Sequence, residues 1–171
     1  MKLENLKLKL LGDKVNDYWN YREKYLNTSS NFLKIFYYFK LKRIENQTNS
    51  EFGVSYHEGS AVFLSRPILP HGLNGIIVSR KCKIGRNVTI LHQVTIGTKI
   101  TTEKSCNESD ILAPVVGDNV YIGAGARIIG NITIGNNVLV GANAVVTKSV
   151  PDDCTAVGNP AVFFKTKNKY R

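Results

Sequence analysis

The sequence contains no run of about 18 apolar residues, so no segment is suited to crossing a bilayer as a helix. It has only three cysteines, Cys82, Cys106 and Cys154, at irregular spacing. That excludes a disulfide framework or a metal knuckle and points to a reducing, cytoplasmic setting. Histidine is equally scarce: His57, His71 and His92 share no close pair spacing, so a zinc site would need ligands from two subunits, and no metal is expected. The first residues, Met1-Lys-Leu-Glu-Asn-Leu-Lys7, alternate charge with leucine and lack the continuous apolar core of a secretory leader. Acidic residues number 13 against 23 Lys and Arg, leaving a net charge of +10. No aromatic-interleaved basic strip or reading helix accompanies that surplus, so a nucleic-acid partner is not expected. A phosphorylated small ligand, an anionic membrane surface or a merely solvated basic surface would each account for it.

What the chain does have is a beat of six. Ile84, Ile90 and Ile96 keep it, and after a break it resumes at Val116, Ile122, Ile128, Ile134, Val140 and Val146. A second small apolar residue follows four places later, at Val88, Val94, Val120, Ala126, Ile132, Val138, Ala144 and Val150. Six fits neither the 3.6 period of a helix nor the alternation of a strand; it is the mark of a parallel β-helix built from hexapeptides. Three hexads make one triangular coil, so residues 18 apart stack, about 4.8 Å above one another. Between Ile96 and Val116 the step is 20 where one hexad would be six, so 14 residues must protrude between about Thr98 and Pro114. A long polar loop in so regular a solenoid is expected to be functional.

The repeat domain spans 51–165, preceded by a helical segment over 1–50 and followed by a basic tail over 166–171. Ser29 or Ser30 could cap a helix in which Phe32, Ile35, Phe36, Phe39 and Ile44 form an apolar face. Val15, Tyr18, Trp19, Tyr21 and Tyr25 offer a second face upstream. An antiparallel helix pair packed on the first coils is expected, with peripheral membrane contact through these basic helices as the alternative. Asn46–Ser50 reads as a polar linker; Pro67 and Pro70 disturb the count before it becomes regular after Val78. Cys82 falls on the inward beat, as a small core hydrophobe.

One edge of the prism gathers the chemistry. Stacking places Asn74 below His92, then Ala124, Ala142 and, one further step of 18, Pro160 above it; His71 lies three residues from Asn74. Two histidines thus stand at one end of a ledge floored by alanine and glycine, where a ligand can lie close to the backbone. His71 sits between Leu69-Pro70 and Gly72-Leu-Asn-Gly75, a loop suited to catalytic residues. Neutral imidazole is well matched to taking a hydroxyl proton near pH 7. At a corner, His92 equally suits a solvent-facing or cross-coil hydrogen-bonding residue.

Val116-Gly-Asp-Asn-Val-Tyr-Ile-Gly-Ala-Gly-Ala126, Gly141-Ala-Asn-Ala-Val-Val146 and Gly158-Asn-Pro-Ala161 resemble the hexapeptide-repeat acyltransferases. Leu69-Pro-His-Gly-Leu-Asn-Gly-Ile-Ile-Val-Ser79 and Val88-Thr-Ile-Leu-His-Gln-Val-Thr-Ile-Gly97 are similar to their serine acetyltransferase branch. The resemblance implies a left-handed parallel β-helix, mainly β, assembled as a homotrimer with acetyl-CoA as co-substrate. It implies a catalytic base at His71 and an oxyanion-stabilising backbone N–H near Gly97 or Thr98. Gly123, Ala124, Gly141, Ala142 and Pro160 would form the shelf for the pantetheine arm, and Lys148 and Lys165 would meet CoA phosphates. His92 would join His71 among the catalytic residues and, with Asn74, touch the acceptor.

The chain also departs from that branch. Its long loop holds no histidine where serine acetyltransferases carry a Gly-Asp-Arg-His-Pro stretch, and Glu58 stands in for the aspartate that orients their base. Its helical segment is shorter, and it ends in Arg171 rather than an isoleucine tail. These departures favour acetylation of a sugar or surface-polysaccharide hydroxyl. Serine O-acetylation is the alternative, and a non-catalytic or metal-dependent β-helix a further one.

Overall fold

A computed structural model describes residues 13–56, 59–99 and 113–166. Asp13 opens α1 (Lys14–Asn27), its carboxylate accepting from the N–H groups of Val15 and Asn16, which satisfies donors that a helix start leaves orphaned. Ser30 is the N-cap residue of α2 (Asn31–Thr48), without a side-chain capping bond, and Asn49 ends it in the left-handed conformation (φ 49°). The helices pack on each other and on the first strands. Tyr18, Trp19 and Tyr25 are buried, Trp19 meeting Phe52 and Phe63 edge-on. Buried Arg22 donates to the carbonyls of Phe52 (2.9 Å) and Ala61 (2.6 Å).

The apolar face expected of α2 is turned outward. Phe32 is 78% and Phe39 67% exposed, and Ile35 and Phe36 are also exposed; of that set only Ile44 reaches the core. Tyr37, Tyr38, Leu41, Ile44 and Glu45 share the opposite face through i, i+3, i+4 spacing, and this is the face that packs. Glu45 decides the matter, because its carboxylate accepts from the Tyr18 hydroxyl (2.7 Å) and from Phe52 N–H (3.0 Å). A face bearing only hydrocarbon could not satisfy those two buried donors.

The strands are short because each spans one side of a prism. Before the insertion come β1 (Glu51–Phe52), β2 (Val62–Phe63), β3 (Ile77–Val78), β4 (Lys83–Ile84), β5 (Thr89–Ile90) and β6 (Thr95–Gly97). After it come β7 (Val115–Val116), β8 (Tyr121–Ile122), β9 (Arg127–Ile129), β10 (Thr133–Ile134), β11 (Leu139–Val140) and β12 (Val145–Val146). β13 (Cys154–Gly158) and β14 (Ala161–Lys165) finish the chain as an antiparallel hairpin. The three sheets run β1-β3-β6-β9-β12, β10-β7-β4-β2 and β14-β13-β11-β8-β5, parallel except at that hairpin. Both apolar residues of every hexad point inward, from Ile84 and Val88 to Val146, and each is buried.

Register follows the count. Ile77 pairs with Thr95, one full lap along the chain, whereas Lys83 pairs with Val115, a lap plus the insertion, so the extra segment leaves the prism where expected. The middle of that loop lies outside the described residues. The expected irregular start is present too: Val62 pairs with Lys83, further along the chain than a regular lap allows. Corners are turned by Asn87, Asn119, Asn137 and Asp153 at φ between 54° and 58°, a conformation in which Asn and Asp are tolerated. Their side chains bond in a ladder from Asn87 to Asn119, Asn137 and Asp153.

The last coil breaks the count. Val150 pairs with Ile134, and Leu139 with Thr155, each pairing two positions short of a regular lap. Val150 is therefore the first apolar residue of a new side, not the second of its hexad. The shortened turn is held by Ser149 Oγ, which accepts from Thr133 N–H (3.0 Å), and by Asp152, which accepts from Asn136 N–H (2.8 Å). This shortening carries Pro160 off the stacking column. It sits instead in the turn between β13 and β14, after a cis peptide bond, and does not extend the ledge.

Candidate active site

His71 stands on a loop with its own core. Ile68 is the last residue bridged to a neighbouring strand, at Thr89, before Pro70, which has no N–H to continue a ladder. Leu69 O accepts from Gly72 N–H (3.0 Å), and Gly72 and Gly75 adopt φ of 71° and 65°, open to glycine without a Cβ penalty. Between them Leu73 plugs the prism, 2% exposed. Gly75 N–H donates to Thr48 O at the end of α2 (3.0 Å), and Asn74 Nδ2 donates to His71 O (2.9 Å). The side chain of Asn74, expected to touch an acceptor, thus fastens the loop.

The stacking column is present as far as Ala142. Gln93 N–H donates to Asn74 O (3.0 Å), Gly125 N–H to His92 O (3.0 Å) and Asn143 N–H to Ala124 O (2.8 Å). This brings the two imidazoles together: His71 Nδ1 and His92 Nδ1 are 2.6 Å apart, with ring centroids at 4.8 Å and planes tilted by 38°. One nitrogen donates and the other accepts. They line an open hollow of about 770 Å³ with Thr48, Asn49, Gln93, Thr95 and Arg127.

Arg127 is a residue the sequence reasoning missed. It lies beside Thr95 in register, and its Nη1 donates to the carbonyls of Gln93, Gly125 (2.8 Å) and Ala126 (3.3 Å). Stepping one lap on from Thr95, with the insertion allowed for, would have found it. Its bonds brace the corner that carries His92, where Gln93 holds φ of 60°, a conformation otherwise taken in that column by Gly75, Gly125 and Asn143. Glutamine there persists only when its surroundings impose it.

The other expected site residues fall into three groups. Ala124 is half-buried and Ala142 exposed, stacked one lap apart above His92. Gly123 is buried, and a Cβ on it would lie 2.5 Å from Ala142 N; one on Gly141 would lie 2.8 Å from Val157 Cγ1. Coil stacking accounts for both glycines without a ligand. Gly97 and Thr98 line an adjoining hollow of about 580 Å³ with Tyr38, Lys42 and Ile129, which shares Ile77 and Thr95 with the first. Gly97 O accepts from Gly130 N–H (2.9 Å) and Thr95 N–H donates to Ala126 O. Strand alternation therefore turns Gly97 N–H into the ladder with β9 as well, and Thr98 is left as the oxyanion candidate. Lys148 in the shortened turn and Lys165 on β14 are exposed, and neither lines the hollow that holds His71. Glu58 lies outside the described residues.

Cys82 is a core residue. Burial pushes its thiol up to about 12, against a smaller opposing effect of a backbone hydrogen bond at Ser79, so it offers no thiolate at neutral pH. Among the described residues no three His, Cys, Asp or Glu side chains converge as a metal site would require.

Residues 113–148 match the family described as bacterial transferase hexapeptide (six repeats). Serine acetyltransferase 3, mitochondrial, of Arabidopsis thaliana is 42% identical over 118 residues, covering 69% of this chain and 28% of that protein. The crystal structure of Neisseria gonorrhoeae serine acetyltransferase matches at a TM-score of 0.69 and 29% identity, over 91% of this chain and 54% of that one. Serine acetyltransferase from Brucella abortus in complex with coenzyme A matches at 0.63 and 30% identity, over 91% and 55%. This chain belongs to the hexapeptide-repeat acyltransferase family, in its serine acetyltransferase-like branch. Its coils wind as a left-handed parallel β-helix. It spans little more than half of the two bacterial proteins and less of the plant one.

These likenesses overturn the expectation of a sugar or surface-polysaccharide acceptor, since each protein named is a serine acetyltransferase. The departures that suggested a sugar were in the long loop, at Glu58 and at the chain ends. The structural likenesses extend over 91% of this chain.

Proposed function

We propose that this chain transfers the acetyl group of acetyl-CoA to the hydroxyl of L-serine by direct general-base catalysis. The observation that carries the reading is the His71–His92 pair at the head of the Ala124–Ala142 ledge, in a chain whose relatives bear that activity in their names. His71 takes the hydroxyl proton as the oxygen attacks the thioester carbonyl. The tetrahedral oxyanion forms against backbone N–H, with Thr98 the candidate donor. Collapse breaks the C–S bond, and the proton held by His71 passes to the departing thiolate. Alignment along the ledge replaces a bimolecular encounter and can lower the barrier by several kcal/mol.

A homotrimer is part of the proposal. Ile77, Val115 and Tyr121 leave 44%, 39% and 42% of their surface exposed on flat outer faces, and closed threefold packing would cover such faces. Active sites would then lie in the clefts between subunits. Peripheral contact with an anionic membrane is proposed for the outward face of α2, where exposed Phe32 and Phe39 neighbour exposed Arg43.

The test is release of CoA thiol from acetyl-CoA with and without L-serine, with O-acetylserine identified by mass spectrometry. Stimulation by serine is expected; thiol release no faster than the blank would sink the reading. The ledge has its own test. Ala142→Trp should abolish measurable CoA binding in a titration, because an indole would fill the path of the pantetheine arm. Wild-type affinity in that variant would remove the ledge from the site.

A further inference from the structure

We infer that His92 is the positioning partner of the catalytic base: it accepts a hydrogen bond from His71 Nδ1 and so takes the part that an orienting carboxylate would play elsewhere. The inference rests on His71 being the base proposed above. At 2.6 Å between the two Nδ1 atoms, one ring must carry the proton there and the other must offer a lone pair. A base that works through Nε2 needs that nitrogen unprotonated, so in the working state His71 is the Nδ1–H tautomer and donates. His92 then carries its own proton on Nε2. When His71 takes the serine proton, its Nδ1–H bond to neutral His92 becomes charge-assisted and stronger, which stabilises the imidazolium while the C–O bond forms. No proton need pass to His92, and the one gained by His71 leaves with the CoA thiol.

The corner beneath His92 is built for this. Gln93 is held in the left-handed region at φ 60° by its N–H bond to Asn74 O and by Arg127 on its carbonyl. His92 O in turn accepts from Gly125 N–H (3.0 Å). Facing it, the His71 loop is fixed by the Asn74 bond to His71 O (2.9 Å) and by Gly75 on Thr48. Two braced backbones, joined to each other by the Gln93–Asn74 bond, thus set the ring separation. Among the described residues lining that hollow, no carboxylate competes for the role, and Arg127 is the one Lys or Arg.

The experiment compares His92→Ala, His92→Asn and His71→Ala in kinetics with acetyl-CoA and L-serine, alongside nitrogen-15 NMR of the imidazoles. His92→Ala should lower kcat by about 10- to 100-fold, less than the full contribution of a general base, with KM for serine nearly unchanged. In the wild type the His71 Nδ1 signal should be that of a protonated nitrogen; in His92→Ala it should move toward the tautomer mixture of a free imidazole. His92→Asn places an amide oxygen near the former Nδ1 and should recover at least half of the lost logarithm of kcat. It also keeps the test open if the alanine variant folds poorly. An unchanged kcat in His92→Ala with His71→Ala inactive would overturn the inference and leave the base in place. A rise in serine KM alone would make His92 an acceptor contact and overturn it equally. Full activity in His71→Ala would instead overturn the base itself.

Discussion

Replacing His71 by alanine should cut turnover of acetyl-CoA with L-serine by on the order of 10²- to 10⁴-fold, the range over which a positioned general base contributes. CoA affinity, read from a binding titration, should barely change, because the ledge of Ala124 and Ala142 lies further along the prism. Nor should stability fall much. His71 is exposed, and the anchors of its loop are Leu73, Asn74 and Gly75, whose contacts do not pass through the imidazole apart from the His92 bond. The expected signature is therefore a loss in kcat with an unshifted melting temperature. A parallel loss of CoA binding would mean that His71 contacts the nucleotide rather than the acceptor hydroxyl.

The interior of the prism was readable because one residue type at one phase does one job. An aliphatic side chain every six residues has no stable place except inward on a three-sided coil, and Ile84, Ile90, Ile96 and their successors are buried to 2% or less. The same arithmetic located the insertion and aligned His92 with Asn74, Ala124 and Ala142. It failed where a turn changed length. Thr147-Lys-Ser-Val150 crosses from one side to the next in a shortened step, and nothing in apolar spacing separates a second hexad residue from the first of a new side. Pro160 was misplaced for that reason. A glycine needed for coil stacking and one needed for a ligand look alike in sequence; the 2.5 Å approach of Ala142 N shows that Gly123 is required for stacking. On α2, apolar residues occupy both sides of the helix, and the buried side was chosen by a polar bond, Tyr18 to Glu45, that periodicity does not register. The acceptor was misjudged because departures in the loop, at Glu58 and at the chain ends were each read as counting against serine.

The largest effect on stability should come from Glu45. Its side chain is 2% exposed, yet its carboxylate accepts from the Tyr18 hydroxyl (2.7 Å), Phe52 N–H (3.0 Å) and Lys42 Nζ (2.7 Å), so one group ties α1, α2 and β1 together. Glu45→Ala would leave a buried hydroxyl and a buried N–H unpaired beside a lysine that has lost its counter-charge. Breaking a buried pair in this way costs about 3–5 kcal/mol, or a fall in melting temperature of roughly 6–20 °C for a chain of this size. Glu45→Gln keeps an acceptor for Tyr18 and should recover part of that loss. The same network sets an alkaline limit. Burial, and then the carboxylate of Glu45, hold the Tyr18 hydroxyl well above its ordinary range. The unfolded chain can ionise that tyrosine at about pH 10 while the folded one resists, so the contribution of Tyr18 to stability is complete below about pH 10 and is lost as pH rises beyond it. In Tyr18→Phe the alkaline decline should flatten, at the expense of the bond to Glu45. Because Glu45 O also receives Ser50 N–H (3.0 Å), and Thr48 O in the same turn receives Gly75 N–H (3.0 Å), loosening this network frees the backbone from which the His71 loop hangs. Glu45→Ala measured well below its melting temperature should therefore lose turnover in greater proportion than it loses folded protein, and activity tracking the folded fraction alone would show that the two are uncoupled.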